Sequence, residues 1–117
     1  MASCDKLAVL KNSRAIHAIR KEGKSFSNQY FVLVTKRNDT DQPGYAIIAS
    51  RTVGGAVERN RCKRRLRSRV IMLNPRIARD RDFVLIARPD LLTVDPATLD
   101  KSFNRLFEIA GLIQADE

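Results

Sequence analysis

The stretch "YAIIASRTVGGAVERNRCKRRLRSRVIMLNPRIARDRDFVLIAR", Tyr45–Arg88, joins two apolar runs through a long basic segment. The first run, Tyr45–Ser50, predicts a strand. The second run, Asp82–Arg88, is almost continuously apolar, as expected of a strand that is covered on both faces. A strand, a helix and a strand in this order predict a βαβ unit, and the general rule for such units favours a right-handed crossover.

The basic segment predicts a helix that begins at Ala56 and ends at Asn74. Its end follows from Pro75, which disfavours helical geometry in the residue before it and has no amide hydrogen to donate. One apolar stripe along this helix is expected to be buried. Its members recur at spacings of five, four, four and three residues: Val57, Cys62, Leu66, Val70 and Leu73.

The same helix carries an unusual density of positive charge. Against the single acid Glu58 stand seven cations, namely Arg59, Arg61, Lys63, Arg64, Arg65, Arg67 and Arg69, and Arg51 lies just upstream. Repulsion between like charges three and four residues apart costs such a helix roughly 1–3 kcal/mol. A guanidinium matches phosphate oxygens and stacks on exposed bases, so the helix predicts nucleic-acid binding, and structured RNA or DNA rather than a lipid surface.

Outward from this unit, the chain predicts a first helix that is capped by Asn12 or Ser13 and stopped by Gly23. Residues 30–37 predict a strand, with a short strand before it near Phe26. The run Tyr45–Ser50 is expected to be the antiparallel partner of strand 30–37. A last helix is expected to have Asp95 as its N-cap and Pro96 at its first position, and to end at Gly111.

These elements predict an α+β fold of a single domain, with the order α-β-β-(β)-α-β-α. The helices are expected to pack against one small mixed sheet in a two-layer sandwich. The whole chain, 1–117, is expected to form one RNA-binding domain, with loosely ordered ends over 1–11 and 112–117.

Composition limits the classes of function. The 117 residues carry a formal net charge of +9, 44% are apolar and 30% are charged, which is typical of one small globular domain with a polyanionic partner. No apolar run approaches the roughly 20 residues of a spanning helix, and the N-terminus has no apolar signal core, so we expect no membrane partner and a cytoplasmic location. Cys4, Cys62 and His17 are too few for a zinc site or a disulfide framework.

Catalytic groups are not evident, and we predict no catalytic and no metal-ligating residue in the chain. Asp39 and Asp41 fall in a predicted turn, and Asp80 and Asp82 alternate with arginines, so both pairs are interpreted as solvated surface. His17 is interpreted as a packing or surface residue. Gly54 and Gly55 lack the Lys and Ser/Thr of a phosphate loop and are interpreted as backbone freedom before the helix.

The stretch "RTVGGAVERNRCKRRLR", Arg51–Arg67, resembles the signature of the bacterial ribonuclease P protein component. The matching positions are Gly54, Ala56, Val57, Arg59, Asn60, Arg61, Lys63, Arg64, Leu66 and Arg67. The flanking runs "GKSFSNQYFVLV" and "DFVLIARP" and the amphipathic last helix follow in the order that the family uses.

The resemblance implies a protein that joins a large catalytic RNA, ribonuclease P RNA, in an endoribonuclease that removes the 5′ leader from precursor tRNA. It implies that Mg²⁺ ions held mainly by the RNA carry out hydrolysis, and no protein partner is assigned. It also implies a fold like that of a ribosomal-protein domain, with a left-handed βαβ crossover.

The resemblance also assigns residues to the two RNAs. The positions that correspond to RNA contacts are Arg51, Arg59, Asn60, Arg61, Lys63, Arg64 and Arg67, of which Arg59 and Asn60 lie nearest the leader. The cleft for the leader corresponds to Ile16, Arg20, Val32 and Val34. The family often has aromatic residues where this chain has Ile16, Arg20 and Val34, so leader recognition is expected to depend more on charge than is usual.

The lead-in to the helix departs from the family in a second way. A frequent Lys-Lys is Arg51-Thr52 here, and a frequent Asn is Gly55. Two other functions remain open at this point: a structural RNA-binding protein of the ribosome or its assembly, and a self-sufficient nuclease. The first would not need the full Arg-Asn-Arg signature, and the second would need a carboxylate cluster that the sequence lacks.

Overall fold

The computed structural model describes residues 8–10, 13–38 and 43–114 of the chain. The helices are α1 (Ser13–Glu22), α2 (Ala56–Leu73) and α3 (Pro96–Ile109). The strands are β1 (Ala8–Val9), β2 (Lys24–Ser27), β3 (Phe31–Arg37), β4 (Gly44–Ile48) and β5 (Arg81–Ala87), and short 3₁₀ turns cover Asn74–Arg76 and Pro89–Leu92. The α+β class is therefore confirmed, together with the short strand that was predicted near Phe26.

The five strands form one mixed sheet in the order β1-β4-β5-β3-β2. β4 lies parallel to β5, so the predicted βαβ unit β4-α2-β5 is present, whereas the hand of its crossover stays a prediction. The prediction that β4 pairs with β3 is wrong, because β5 lies between them and pairs antiparallel with β3. The physical reason is burial: β5 carries five consecutive apolar residues, Phe83–Ala87, and the centre of the sheet is the position that covers them on both faces.

The sheet is covered on both faces, so the predicted two layers are three. Along each strand, side chains alternate between the faces. Phe31 and Leu33 of β3 and Phe83 of β5 face α2 and α3 in the larger apolar core. Val34 and Val84 face the opposite way, toward Ile19 of α1, in a smaller core.

The apolar stripe of α2 is confirmed for Cys62, Leu66, Val70 and Leu73, which are buried. Val57 was predicted to belong to it and is instead 75% exposed. Five residues separate Val57 from Cys62, and at 3.6 residues per turn that spacing rotates the side chain by about 140° away from the core. α2 ends at Leu73, one residue before the predicted end, where the 3₁₀ turn that contains Pro75 begins.

Residues near both ends of the described chain make hydrogen bonds to the rest of the fold. Leu112 and Ile113 are buried, and the carbonyl of Leu112 accepts a hydrogen bond of 2.7 Å from the Ala78 amide. At the other end, the Leu10 amide donates to the Tyr45 carbonyl at 2.8 Å. The expectation of loosely ordered ends over 1–11 and 112–117 stays a prediction. Cys4, Asn12, Asp39 and Asp41 lie outside the described residues.

Candidate nucleic-acid interface

The outer face of α2, defined here by Asn60, Arg61, Arg64 and Arg67, points away from the protein. Arg64 follows the buried Cys62 by two residues, a rotation of about 200°, which places it opposite the core. All four side chains of this outer face are exposed. Its three arginines make no side-chain hydrogen bond or ion pair within the described residues, so their guanidinium groups are available to a ligand.

Arg65 and Arg69 form a second side of the same helix, here called the fastened flank. The Arg65 guanidinium donates to the carbonyls of Leu91 and Val94, each at 2.7 Å. Burial, and then the neighbouring cations Arg69 and Arg61, lower the pKa of Arg65 from its ordinary value. These two hydrogen bonds attach α2 to the loop that leads into α3.

Arg69 completes the fastened flank. Its Nε donates to Asp100 Oδ1 at 2.8 Å, and another guanidinium nitrogen donates to the Arg65 carbonyl at 2.9 Å. Since only 14% of its side chain is exposed, Arg69 is a structural cation that joins α2 to α3. The sequence placed seven like charges on this helix, and the tertiary structure divides them between scaffold and surface.

Arg59 and Lys63 are half-buried and lie one turn apart on the side of α2 away from the fastened flank. On the flank side, Arg61 and Arg64 line an open groove of about 720 Å³ together with the segment Leu92–Pro96. The outer face is therefore bordered on one side by two half-buried cations. On the other side it is bordered by the groove, whose far wall is the segment that leads into α3.

The loop before α2 holds Arg51 close to the start of the helix. The Gly54 amide donates to the Arg51 carbonyl at 3.1 Å, and Val53 is buried beneath the loop. Gly54 has φ +143°, and a Cβ there would meet the Glu58 side chain at 2.9 Å, so glycine is required. Glu58 Oε1 accepts from the Gly55 amide at 2.9 Å, which satisfies one backbone donor at the N-terminus of α2.

A row of aliphatic side chains crosses the sheet on the α1 side. Val32 of β3 lies opposite Ile86 of β5, and Ile86 is in register with Ile48 of β4. These three residues, here called the apolar row, are half-buried. The sequence pattern did not indicate Ile48 and Ile86, because only the register of the sheet brings them beside Val32.

The predicted cleft residues differ in how much of their surface the fold leaves exposed. Val34 lies in the next row under Ile19 of α1 and is only 4% exposed, so it offers almost no surface to a ligand. Ile16 is half-buried against the same core, and Arg20, one turn later on α1, is exposed. Of the predicted cleft residues, Val32, Ile16 and Arg20 therefore retain exposed surface, and Val34 does not.

The apolar row and the start of the basic helix lie toward the same end of the sheet, on opposite faces. β4 and β5 are parallel and both end there, at Ile48 and Ala87. The chain continues from Ile48 through the loop of Arg51 into α2. An extended nucleic-acid strand on the apolar row would therefore run toward the cations at the start of α2, which combines apolar contact with bases and charged contact with phosphates.

The described residues offer no evident reactive centre. No three His, Cys, Asp or Glu side chains in this part of the chain lie close enough together to hold a metal ion. Asp82 was interpreted as solvated surface, but it is half-buried and its Oδ1 accepts from Asn38 Nδ2 and the Gly44 amide, each at 2.8 Å. Burial raises the pKa of the Cys62 thiol, which keeps it protonated.

Within the described ranges, no helix is long and apolar enough to cross a membrane.

Comparison with known proteins agrees with this geometry. The sequence matches the family described as Ribonuclease P over residues 5–111. It is 36% identical over 110 residues to the ribonuclease P protein component of Symbiobacterium thermophilum, covering 92% of this chain and 94% of that protein. It is 31% identical over 105 residues to the component from an Exiguobacterium species, covering 90% and 91%.

Solved structures show the same fold. The RNase P protein of Staphylococcus aureus superimposes with a TM-score of 0.83 at 27% identity, covering 93% of this chain and 100% of that chain. The RNase P protein of Thermotoga maritima has a TM-score of 0.73 at 33% identity, covering 83% and 93%. With the signature on α2, the sequence match along most of the chain and the shared fold, the chain belongs to the ribonuclease P protein component family.

Proposed function

We propose that this chain binds the catalytic RNA of ribonuclease P through the outer face of α2 and receives the 5′ leader of precursor tRNA on the apolar row. The complex of protein and RNA then cleaves precursor tRNA at the 5′ end of the mature sequence. Since both proposed partners are RNAs, the cytoplasm is the compartment that we propose for the complex.

The observation that carries this proposal is the division of the arginines on α2. Arg61, Arg64 and Arg67 have no partner within the described residues and remain exposed, although their mutual repulsion destabilises the helix. Phosphate oxygens would remove that repulsion and match the planar donors of each guanidinium. The ribosomal alternative has no support from the comparisons.

The leader is proposed to follow the apolar row toward Arg51, Arg59 and Asn60. Val32, Ile86 and Ile48 supply apolar contact without aromatic rings, so stacking adds little here. Arg20 is exposed beside the row and supplies a cation that can contact a leader phosphate or stack on a base.

Catalysis is proposed to belong to the RNA. No three His, Cys, Asp or Glu side chains of the described residues lie close together, and we propose that Mg²⁺ is held mainly by RNA phosphates. The part of this chain is to bind both RNAs and to hold the leader in one orientation beside the catalytic RNA.

Reconstitution tests the proposal. Purified protein is mixed with a bacterial ribonuclease P RNA at low Mg²⁺, and kcat/KM for precursor-tRNA cleavage is measured with and without the protein. The protein is expected to raise kcat/KM, and protein without RNA is expected to cleave nothing. No enhancement would contradict the proposal, as would metal-dependent cleavage by RNA-free protein that survives controls for contaminating nucleases.

The leader contact is tested by the affinity of the reconstituted enzyme for precursor tRNA relative to mature tRNA. Arg20→Gln is expected to lower this ratio. It is also expected to reduce the slope of the logarithm of the ratio against log salt concentration by about one. The control is Lys21→Gln, which removes the same charge from the neighbouring exposed position of α1 and should leave the ratio unchanged. Equal effects of the two variants would show that Arg20 points elsewhere.

A further inference from the structure

A second concentration of positive charge lies at the opposite end of the sheet from Arg51. Here four cations from three strands surround an open hollow of about 490 Å³, namely Lys24 of β2, Lys36 and Arg37 of β3, and Arg81 of β5. Phe26, Ile109 and Gly111 form its apolar wall, and Glu22 is the one acid among its described lining residues. None of these cations belongs to the signature on α2.

Two of the cations face each other directly. Arg37 and Arg81 are partners in the antiparallel register of β3 and β5, so their side chains project from the same face of the sheet. Like charges in this position destabilise a sheet. Asp80 offsets little of this, because its carboxylate lies 3.4 Å from Arg37 in an exposed pair.

The cations of the hollow are incompletely neutralised. Lys36 pairs with Glu22 at 3.1 Å. Lys24 and Arg81 make no side-chain hydrogen bond or ion pair within residues 13–38 and 43–114. The hollow therefore presents at least two free cations beside an apolar wall, which is an arrangement that an anion with an apolar portion would fill.

The hollow is distant from the outer face of α2 and from the apolar row. β5 begins at Arg81 and ends at Ala87 beside the lead-in loop of α2. The strand has seven residues, and the six steps between them, at about 3.3 Å each, separate its two ends by about 20 Å. One phosphate group cannot contact both places, so a ligand in the hollow would be an additional contact.

We propose that this hollow binds a phosphate of an RNA backbone, with Lys24 and Arg81 as the main contacts. The proposal rests on the proposed function, since it assumes a protein that already works on RNA. The hollow is larger than one phosphate, and Phe26 and Ile109 provide an apolar surface for the attached sugar or base. Filling it with a phosphodiester would also neutralise the opposed pair of Arg37 and Arg81.

The double variant Lys24→Gln/Arg81→Gln tests the proposal in the reconstituted enzyme. Binding of the protein to ribonuclease P RNA and binding of precursor tRNA by the assembled enzyme are measured separately against salt concentration. One of the two affinities is expected to fall roughly tenfold or more at low salt, with its salt slope flattened by about two. The affinity that falls identifies whether the phosphate belongs to the catalytic RNA or to the precursor tRNA.

The matched control is Lys101→Gln/Arg105→Gln, which removes the same charge from exposed positions of α3 that do not line the hollow. If both double variants lower affinity equally, or if the hollow variant changes neither affinity, the proposal is overturned. Thermal unfolding separates binding from folding, because loss of Arg81 relieves the repulsion with Arg37 and should not lower the melting temperature. Failure of the unaltered protein to bind either RNA would overturn the proposed function as well, whereas normal binding by the hollow variant overturns this inference alone.

Discussion

The outer face and the fastened flank of α2 carry arginines on the same helix, yet only the arginines of the flank hydrogen-bond to the rest of the described structure. Arg64 and Arg65 are adjacent in sequence. Arg64 is exposed and makes no hydrogen bond within the described residues, whereas Arg65 donates two hydrogen bonds to the loop before α3. The comparison shows that a basic helix cannot be interpreted as one uniform electrostatic surface.

The difference arises from backbone carbonyls that another part of the chain brings beside α2. Leu91 lies within the short 3₁₀ turn Pro89–Leu92, and Val94 precedes the N-cap of α3. Neither carbonyl accepts a hydrogen bond from a described backbone amide. A buried or half-buried carbonyl without a donor costs free energy, and the fork of Arg65 satisfies both. The 100° rotation per residue turns Arg64 away from this loop.

The largest expected effect is the loss of RNA affinity when the arginines of the outer face are replaced. The variant Arg61→Ala/Arg64→Ala/Arg67→Ala should lower the affinity for ribonuclease P RNA by roughly 100-fold or more at low salt and reduce the salt slope by about three. The free energy of unfolding should stay constant or rise by up to about 1 kcal/mol, because repulsion within α2 is relieved. Filter binding and thermal unfolding measure the two quantities. A control that removes the exposed charges of Lys21, Lys101 and Arg105 should have a much smaller effect, and equal losses would mean that net charge alone governs binding.

The next effect concerns stability. Arg65→Met keeps the aliphatic stem but removes both donors to Leu91 and Val94, so the free energy of unfolding should fall by about 2 kcal/mol. Arg64→Met, the adjacent control, should change it by less than about 0.5 kcal/mol. Urea unfolding measures both. Equal stability of the two variants would remove the distinction between the outer face and the fastened flank.

A smaller effect is expected for the ion pair at the end of the flank. A double-mutant cycle with Arg69→Ala and Asp100→Ala should give a coupling free energy of about 0.5–1 kcal/mol, since 55% of the Asp100 side chain is exposed. Unfolding in 1 M salt should reduce the coupling. A coupling of zero would leave the bond from Arg69 to the Arg65 carbonyl as the main role of this side chain.

The smallest effect is a pH dependence in the loop that Arg65 holds. Hydrogen bonds from Thr98 lower the pKa of Asp95, the N-cap of α3. Because the folded pKa lies below the unfolded value of about 3.9, the carboxylate stabilises the fold above that pH and loses this contribution as the pH falls through the folded pKa. Between pH 5 and pH 3, the melting temperature of the unaltered protein should fall more than that of Asp95→Asn. An equal fall in the melting temperatures of the unaltered protein and Asp95→Asn would exclude a contribution from this carboxylate.

Local features of the sequence predicted most helices and strands. Pro75, the glycines before α2 and the Asp95-Pro96 pair are short-range signals, and the corresponding helix ends lie within one or two residues of the predicted positions. The neighbours of β4 were not predictable in this way. Its hydrogen-bonded partner β5 lies more than thirty residues later, and the two strands meet because β5 requires cover on both faces.

The candidate site was only partly predictable, because it also depends on contacts between distant parts of the chain. The Arg-Asn-Arg signature identified the cations of α2 and the family, but which arginines are free depends on the loop 89–95 that packs beside the helix. The apolar row and the hollow of Lys24 and Arg81 depend on strand register, which brings together residues from distant parts of the sequence. Val57 failed as a core residue because a spacing of five does not return to the same face of a helix.

The sequence by itself determined the α+β class, the basic helix, the net positive charge that favours a polyanionic partner, and the family to which the chain belongs. Those properties follow from neighbours within a few turns of helix or a few residues of strand, or from composition. Only the tertiary structure decided the order of the strands, the cover on both faces of the sheet, and the division of like cations between scaffold and surface. Each of these depends on which distant groups must be buried or hydrogen-bonded together, and a linear pattern does not contain that pairing.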